Sequence, residues 1–183
     1  MALTFSPNAE IGFDCPDFSL PGVDGKVYSR NSFKNDKPLV IMFICNHCPY
    51  VQAIEDRLIQ LVHDLKTQDV HVIAICSNDA GEYPEDNFEN LKKRALQKNY
   101  PFVYLHDATQ EVAMKFGAVC TPDFFIFDKN LKLASRNRLD DSWKNPREVA
   151  KRELFEIVQL LLKGEKAPEK QIPSMGCNIK WKI

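Results

Sequence analysis

The sequence predicts an α/β fold, a central mixed β-sheet with helices on both faces. Three observations carry this. Two apolar runs, Leu39 to Ile44 and Val70 to Ser77, are rich in Val and Ile and read as fully buried strands of the kind found in parallel pairing. Between them, Val51, Ile54, Leu58, Leu61, Val62 and Leu65 recur at three and four, the period of a helix with one buried face. Further on, Asp123 to Asp128 and Leu131 to Asn137 flank Lys129-Asn130 as a hairpin, which adds antiparallel strands to the sheet.

In order, residues 1–16 read as an irregular lead-in. Asp17 to Tyr28 forms an N-terminal β-hairpin around a turn rich in Pro, Gly and Asp, and Ser29 to Asp36 is a helical turn or loop. Strand 38–44 and helix 48–67 follow, then strand 70–77 and a polar loop from Asn78 to Asp86. Pro84 suits the first turn of a helix reaching about Asn99. Phe102 to Leu105 is a third short strand, and Ala108 to Phe116 a helix stopped by Gly117. After the second hairpin, a polar stretch from Arg138 to Asn145 leads to a last amphipathic helix over 146–163, ended by Gly164. The tail from Glu165 carries Pro168, Pro173 and Gly176 and is expected to cross the surface before its apolar end docks. The expected organisation is one domain over 1–183, with its core at about 17–164 and the tail 165–183 packed upon it.

Composition narrows the classes. Lys plus Arg is 24 and Asp plus Glu is 25, a formal net charge of −1, which argues against a nucleic-acid partner. No apolar run approaches the roughly 18 residues needed to span a bilayer. The start lacks the basic end and apolar stretch of a signal peptide, so a cytoplasmic location is expected. Six cysteines, at 15, 45, 48, 76, 120 and 177, in a long core-rich chain argue for thiols rather than a secreted disulfide framework.

The chemistry gathers at Cys45-Asn46-His47-Cys48, where the first buried strand gives way to the amphipathic helix. Free N–H groups and the positive dipole end of a helix favour a thiolate. That predicts a lowered pKa for Cys45, as the attacking sulfur, with Cys48 one turn in to close a disulfide. His47, as an imidazolium, would favour the same thiolate and so stabilise the reduced pair. A zinc site would want a second Cys-x-x-Cys or a His pair, and Cys76, Cys120 and Cys177 are isolated, so neither metal nor cofactor is expected.

A strand, then Cys-x-x-Cys opening a helix, then a distant Thr121-Pro122 before a hairpin, resembles the thioredoxin superfamily. Asp17 to Lys26 looks like the opening of its peroxiredoxin branch, the AhpC/TSA-type redoxins. Cys45 to Val51, Gly117 to Phe125, Arg138 to Ser142 and Gly176 to Lys182 together resemble a peroxiredoxin-like family of thioredoxin-domain proteins. The resemblance implies a thioredoxin-like fold and a cis-proline at Pro122 facing the dithiol. It further implies that the backbone of Thr121 pairs with a substrate chain during mixed-disulfide formation. Cys-x-His-Cys occurs in oxidising members of the superfamily, which implies a potential above the roughly −270 mV of thioredoxin, toward about −180 to −120 mV.

The leading function is therefore a thiol–disulfide oxidoreductase acting on protein or small-molecule disulfides and renewed by a thiol reductant system; the oligomeric state, a homodimer included, is open. The alternative is a peroxidase. Peroxiredoxins place Thr or Ser three residues before the reactive Cys, whereas here Met42 precedes Cys45 and Cys45 precedes Cys48 at that spacing. A Cu(I)- or Zn(II)-binding chaperone is a third reading. Cys120, before the proline loop, is either a third redox thiol near Cys45 or a small packed residue. Cys177 is read as a packed hydrophobe before a resolving thiol, Cys76 as inert, and Cys15 as surface or semi-buried. The buried acid that thioredoxins carry ahead of the dithiol is absent from Leu39 to Ile44, leaving Asp79 as a candidate proton carrier.

Overall fold

A computed structural model describes residues 3–33 and 36–182. The chain runs β1 (Leu3–Phe5), β2 (Ser19–Pro21), β3 (Val27–Ser29), β4 (Leu39–Phe43), α1 (Pro49–Leu65), β5 (His71–Cys76), α2 (Phe88–Gln97), β6 (Val103–His106), α3 (Glu111–Phe116), β7 (Cys120–Thr121), β8 (Asp123–Phe127), β9 (Leu133–Asn137), α4 (Glu153–Leu162) and β10 (Met175–Asn178). The central sheet has the order β6-β5-β4-β8-β9. β4 lies parallel to β5 and β5 to β6, while β4–β8 and β8–β9 are antiparallel, so the sheet is mixed as the sequence predicts.

Every residue of β4 is buried because the sheet is covered twice. Val40 and Met42 turn to one face, where Ile54, Leu58 and Leu61 of α1, Leu91 of α2 and Leu154 and Val158 of α4 pack on them. Leu39, Ile41 and Phe43 turn to the other, under Val112 and Phe116 of α3 and Phe18 and Leu20 of the N-terminal hairpin. Side chains alternate along a strand, so one apolar run serves two cores. Each fully buried Leu or Ile contributes about 1.5–3 kcal/mol.

The ends depart from expectation. Leu3–Phe5 is a strand rather than an irregular lead-in, and the tail supplies β10; with β7 they form a second sheet of order β1-β10-β7. Its register pairs Leu3 with Cys177 and Cys177 with Thr121, contacts so remote in sequence that no local pattern announces them. Helix boundaries also contract. Asn87 caps α2 by accepting from the Asn90 amide, so the helix begins after the Pro84–Asp86 turn. Left-handed Gln110 delays α3 to Glu111, and Pro146–Glu148 is a separate 3-10 turn before α4. Of the expected Ser29–Asp36 turn, Arg30–Phe33 is a 3-10 helix; 34 and 35, like the first two residues and residue 183, lie outside the described residues. Among the described residues no helix is long and apolar enough to cross a membrane.

Candidate active site

Because β4 and β5 are parallel, the loops leaving their C-terminal ends emerge at one edge of the sheet, where open α/β sheets build their sites. The first loop is Cys45 to Cys48. Pro49 takes the first position of α1, where its missing N–H costs no helical hydrogen bond, and Cys48 is the N-cap with extended backbone (φ −73, ψ 119). Cys45 lies before this, at the end of the strand segment, beneath the bend at Asn46 and His47. Both cysteines are buried, at 2% and 0% exposure, and both stand as thiols.

The two sulfurs sit in different electrostatic surroundings. Cys48 is pulled down to about 5, first by a hydrogen bond from the Cys45 thiol, then by Cys177 and by the backbone N–H groups of Val51 and Cys177. Cys45 is pushed well above the ordinary thiol value by burial, by its bond to Cys48 and by the charge of Asp86. Since α1 starts after Cys48, its free N–H groups and dipole end favour a thiolate there, while burial works against one at Cys45. The low pKa expected at Cys45 gives way to an upward push, caused first by burial.

The acid that the strand lacks comes from the second loop. Asp86, fully buried, accepts from the amides of Asn46 (2.7 Å) and His47 (3.3 Å) through Oδ1. Its Oδ2 meets His47 Nδ1 at 2.5 Å and accepts from Asn78 Nδ2 at 2.8 Å. Asn46 is tied further, its Nδ2 donating to Glu85 O and Asn90 O, so the Cys-x-x-Cys bend is pinned to the start of α2. Asp79, the residue singled out from sequence, instead accepts from the Gly81 amide in its own loop. The topology of two parallel strands points to this loop, but nothing in the spacing separates Asp86 from Asp79.

His47 stacks on Tyr83 with ring centroids 4.8 Å apart. Its hydrogen bond to Asp86 raises its pKa against the opposing effect of burial. Replacing Asp86 by Asn is therefore expected to bring the His47 pKa down toward the free-imidazole value of about 6.5, read by NMR titration of the ring protons. A raised folded pKa contributes stability that is complete below the unfolded pKa and is lost as pH rises through the folded one. Asp86→Asn should flatten that dependence, and an unchanged titration would refute the pairing. Cys45, His47 and Asp86 also bring one ligand atom each within 4.8 Å of one another, the donor set among the described residues able to hold a soft cation. In this structure His47 Nδ1 and Asp86 Oδ2 are committed to each other.

Thr121-Pro122 is cis, as the resemblance implies. Thr121 O lies 3.1 Å from Cys48 Sγ, where a neutral Cys48 donates to it, and Thr121 Oγ1 lies 3.3 Å from Cys45 Sγ. The loop is bracketed by a buried ion pair, Arg136 reaching both oxygens of Asp123 and also Gly117 O. Cys120 takes the packed reading: its nearest polar partner is Pro122 O at 3.7 Å, and burial pushes its thiol up. Burial pushes Cys76 up likewise, and Cys15, expected near the surface, is 1% exposed with its thiol at about 12.

The edge of Thr121 expected to pair with a substrate chain is occupied. β10 pairs there antiparallel, Cys177 opposite Thr121, and brings Cys177 Sγ to 2.9 Å from Cys48 Sγ. Burial and the bond to Cys48 raise the Cys177 thiol to about 12. The expectation that Cys177 is chiefly a packed hydrophobe gives way to a third sulfur in the site. The sequence offered a resolving thiol here as the lesser reading; its placement depends on the pairing of the tail, which no spacing rule gives.

Residues 11–136, more than half of the chain, match the AhpC/TSA family. The chain belongs to the AhpC/TSA family. Two solved relatives extend the likeness over its whole length. An uncharacterized conserved protein from Geobacillus kaustophilus is 45% identical with a TM-score of 0.94, covering 100% of this chain and 97% of that one. A hypothetical protein from Sinorhizobium meliloti 1021 is 38% identical with a TM-score of 0.93, covering 98% of each. The AhpC/TSA member shares its fold more distantly with the thioredoxin domain of a thiol-disulfide oxidoreductase from Bacteroides vulgatus, at 15% identity and a TM-score of 0.65 over 84% of this chain and 99% of that one. No curated protein matches this AhpC/TSA chain. Family and thioredoxin-like fold together place it among the thioredoxin-like redox proteins.

Proposed function

We propose that this protein is a thiol–disulfide oxidoreductase that turns over the Cys45/Cys48 couple, with Cys48 attacking and Cys45 resolving. The observation that carries this is the pair of buried thiols at the strand-to-helix turn, Cys48 Sγ 3.1 Å from Thr121 O and Cys45 Sγ 3.3 Å from Thr121 Oγ1, beside a cis-proline. The Cys48 thiolate attacks one sulfur of a substrate disulfide, and the other leaves as a thiolate that takes a proton from water. Cys45 then loses its proton, attacks Cys48 Sγ and releases the substrate's second thiolate, leaving a Cys45–Cys48 disulfide. An external thiol reductant renews the pair in a cytoplasmic, reducing setting. A cleft of about 150 Å³ flanking Pro122, lined by Tyr50, Ile54, Phe124, Trp143 and Met175, suits the apolar part of such a substrate.

A lowered thiolate stabilises the reduced pair, so the Cys45–Cys48 potential is expected between about −230 and −120 mV. Glutathione titration with mass spectrometry of the bridged peptide measures it. A value at or below about −270 mV would contradict a stabilised thiolate. The thiolate also favours the peroxidase reading, but Cys45 stands where a peroxiredoxin has its hydroxyl side chain. Stopped-flow addition of hydrogen peroxide separates the two. Sulfenate formation on Cys48 faster than reduction of a disulfide substrate would move the assignment to peroxidase.

A further inference from the structure

The oxidoreductase reading uses two of the three sulfurs gathered at the start of α1. The third has no role in it. Cys177 reaches Cys48 across 129 residues of sequence, and their sulfurs lie 2.9 Å apart in a thiol–thiol hydrogen bond, with no side chain between them. The approach is built rather than incidental. Antiparallel pairing sets Cys177 opposite Thr121, the residue before the cis-proline, on the edge where a substrate strand was expected. Gly176 allows it, since a Cβ there would lie 1.9 Å from Thr121 O. Beyond Cys177, the Ile179 amide donates to Val119 O and the Lys180 amide to Asn78 Oδ1, and Asn78 in turn donates to Asp86. The tail is thus fixed to the same carboxylate that holds the Cys-x-x-Cys bend.

We propose that Cys177 is a second resolving thiol, and that the active-site disulfide exchanges between Cys45–Cys48 and Cys48–Cys177 with Cys48 common to both. The inference rests on the oxidoreductase reading for the first disulfide. In the exchange, Cys177 gives up its proton to water and its thiolate attacks Cys48 Sγ. A Cys48–Cys177 bond forms as the Cys45–Cys48 bond breaks, and Cys45 leaves as a thiolate that takes a proton. One disulfide is consumed and one is formed, so no outside oxidant or reductant enters. Once Cys48 is in a disulfide it carries no charge, which removes one of the causes that hold the Cys177 proton in place. The product stores the oxidising equivalents in a bridge that clamps β10 to the start of α1 and leaves Cys45 as a thiol, out of the attacking position.

The test oxidises the full chain with an excess of oxidised glutathione, quenches in acid, alkylates the remaining thiols and maps disulfide-linked peptides by mass spectrometry. Wild type is expected to yield both the Cys45–Cys48 and the Cys48–Cys177 linkage. Cys45→Ser should retain the Cys48–Cys177 linkage, Cys177→Ser the Cys45–Cys48 linkage, and Cys48→Ser should lose both. Wild type without a Cys48–Cys177 peptide, together with Cys45→Ser carrying glutathione on Cys48 instead, would overturn the proposal while leaving the oxidoreductase reading intact. Loss of the Cys45–Cys48 linkage from Cys177→Ser and wild type alike would overturn the oxidoreductase reading itself. Because wild type carries the decisive peptide, a variant that fails to fold does not blunt the result.

Discussion

Cys48→Ser is expected to abolish disulfide reduction, with a loss of about 10³-fold or more, the scale on which removal of a covalent nucleophile is felt. Cys45→Ser should behave differently: the first attack survives, and the variant accumulates mixed disulfides on Cys48 unless Cys177 resolves them. The contrast follows from which sulfur the helix start serves. Cys48 is the N-cap of α1 and receives the Cys45 thiol, whereas Cys45 is held protonated by burial and by Asp86. The pH dependence of alkylation makes the same distinction. In reduced wild type the modification of Cys48 should rise with a midpoint near 5, and in Cys45→Ser that midpoint should move up as the strongest donor to the thiolate is removed. Stability follows with a definite sign. A folded pKa lowered from 9.0 to about 5 contributes stability that is complete above the unfolded value and is lost as pH falls toward the folded one. Reduced wild type should therefore lose stability between about pH 9 and pH 5 relative to Cys48→Ser, read by urea unfolding across that range. A midpoint near 5 that followed Cys45 instead would reverse the assignment.

The parts of this molecule that were legible in its sequence are those written locally. Apolar runs and helical periodicity gave the mixed sheet and its two covered faces because each signal lies within one strand or one helix, as in Leu39–Phe43 and Pro49–Leu65. The dithiol and the cis-proline were legible as short motifs. The electrostatics within the dithiol were not, since they turn on what surrounds each sulfur, burial and Asp86 at Cys45 and the helix start at Cys48. Asp86 was hidden, and Cys177 legible only as the lesser of two readings, for a different reason. Each enters the site through a long-range contact, Asp86 through the parallel pairing that brings two loops to one edge and Cys177 through a strand of four residues containing a glycine. A short strand with Gly in it carries almost no intrinsic signal, and its stability comes from its partners on both sides.

That glycine offers the sharpest test of how the tail serves the site. Gly176→Ala would place a methyl group 1.9 Å from Thr121 O and 3.0 Å from Pro122 Cδ. The first obstacle is backbone, and it belongs to the loop that contacts both active-site sulfurs, so neither a rotamer change nor a small side-chain shift relieves it. β10 must draw back from β7. Overpacking of this kind costs about 1–3 kcal/mol, and a shift in the midpoint of urea unfolding should report it. The chemical consequence is the more specific one. With β10 displaced, Cys177 leaves Cys48, the sulfurs at 0–2% exposure open to solvent, and alkylation of Cys48 at fixed pH should accelerate even as the protein becomes less stable. Val27→Ala, at a side chain 69% exposed on β3, is the control for a substitution that leaves the tail in place. If Gly176→Ala unfolded at the wild-type midpoint and reacted at the wild-type rate, β10 would not be held against the cis-proline. The built approach of Cys177 to Cys48 would fall with it.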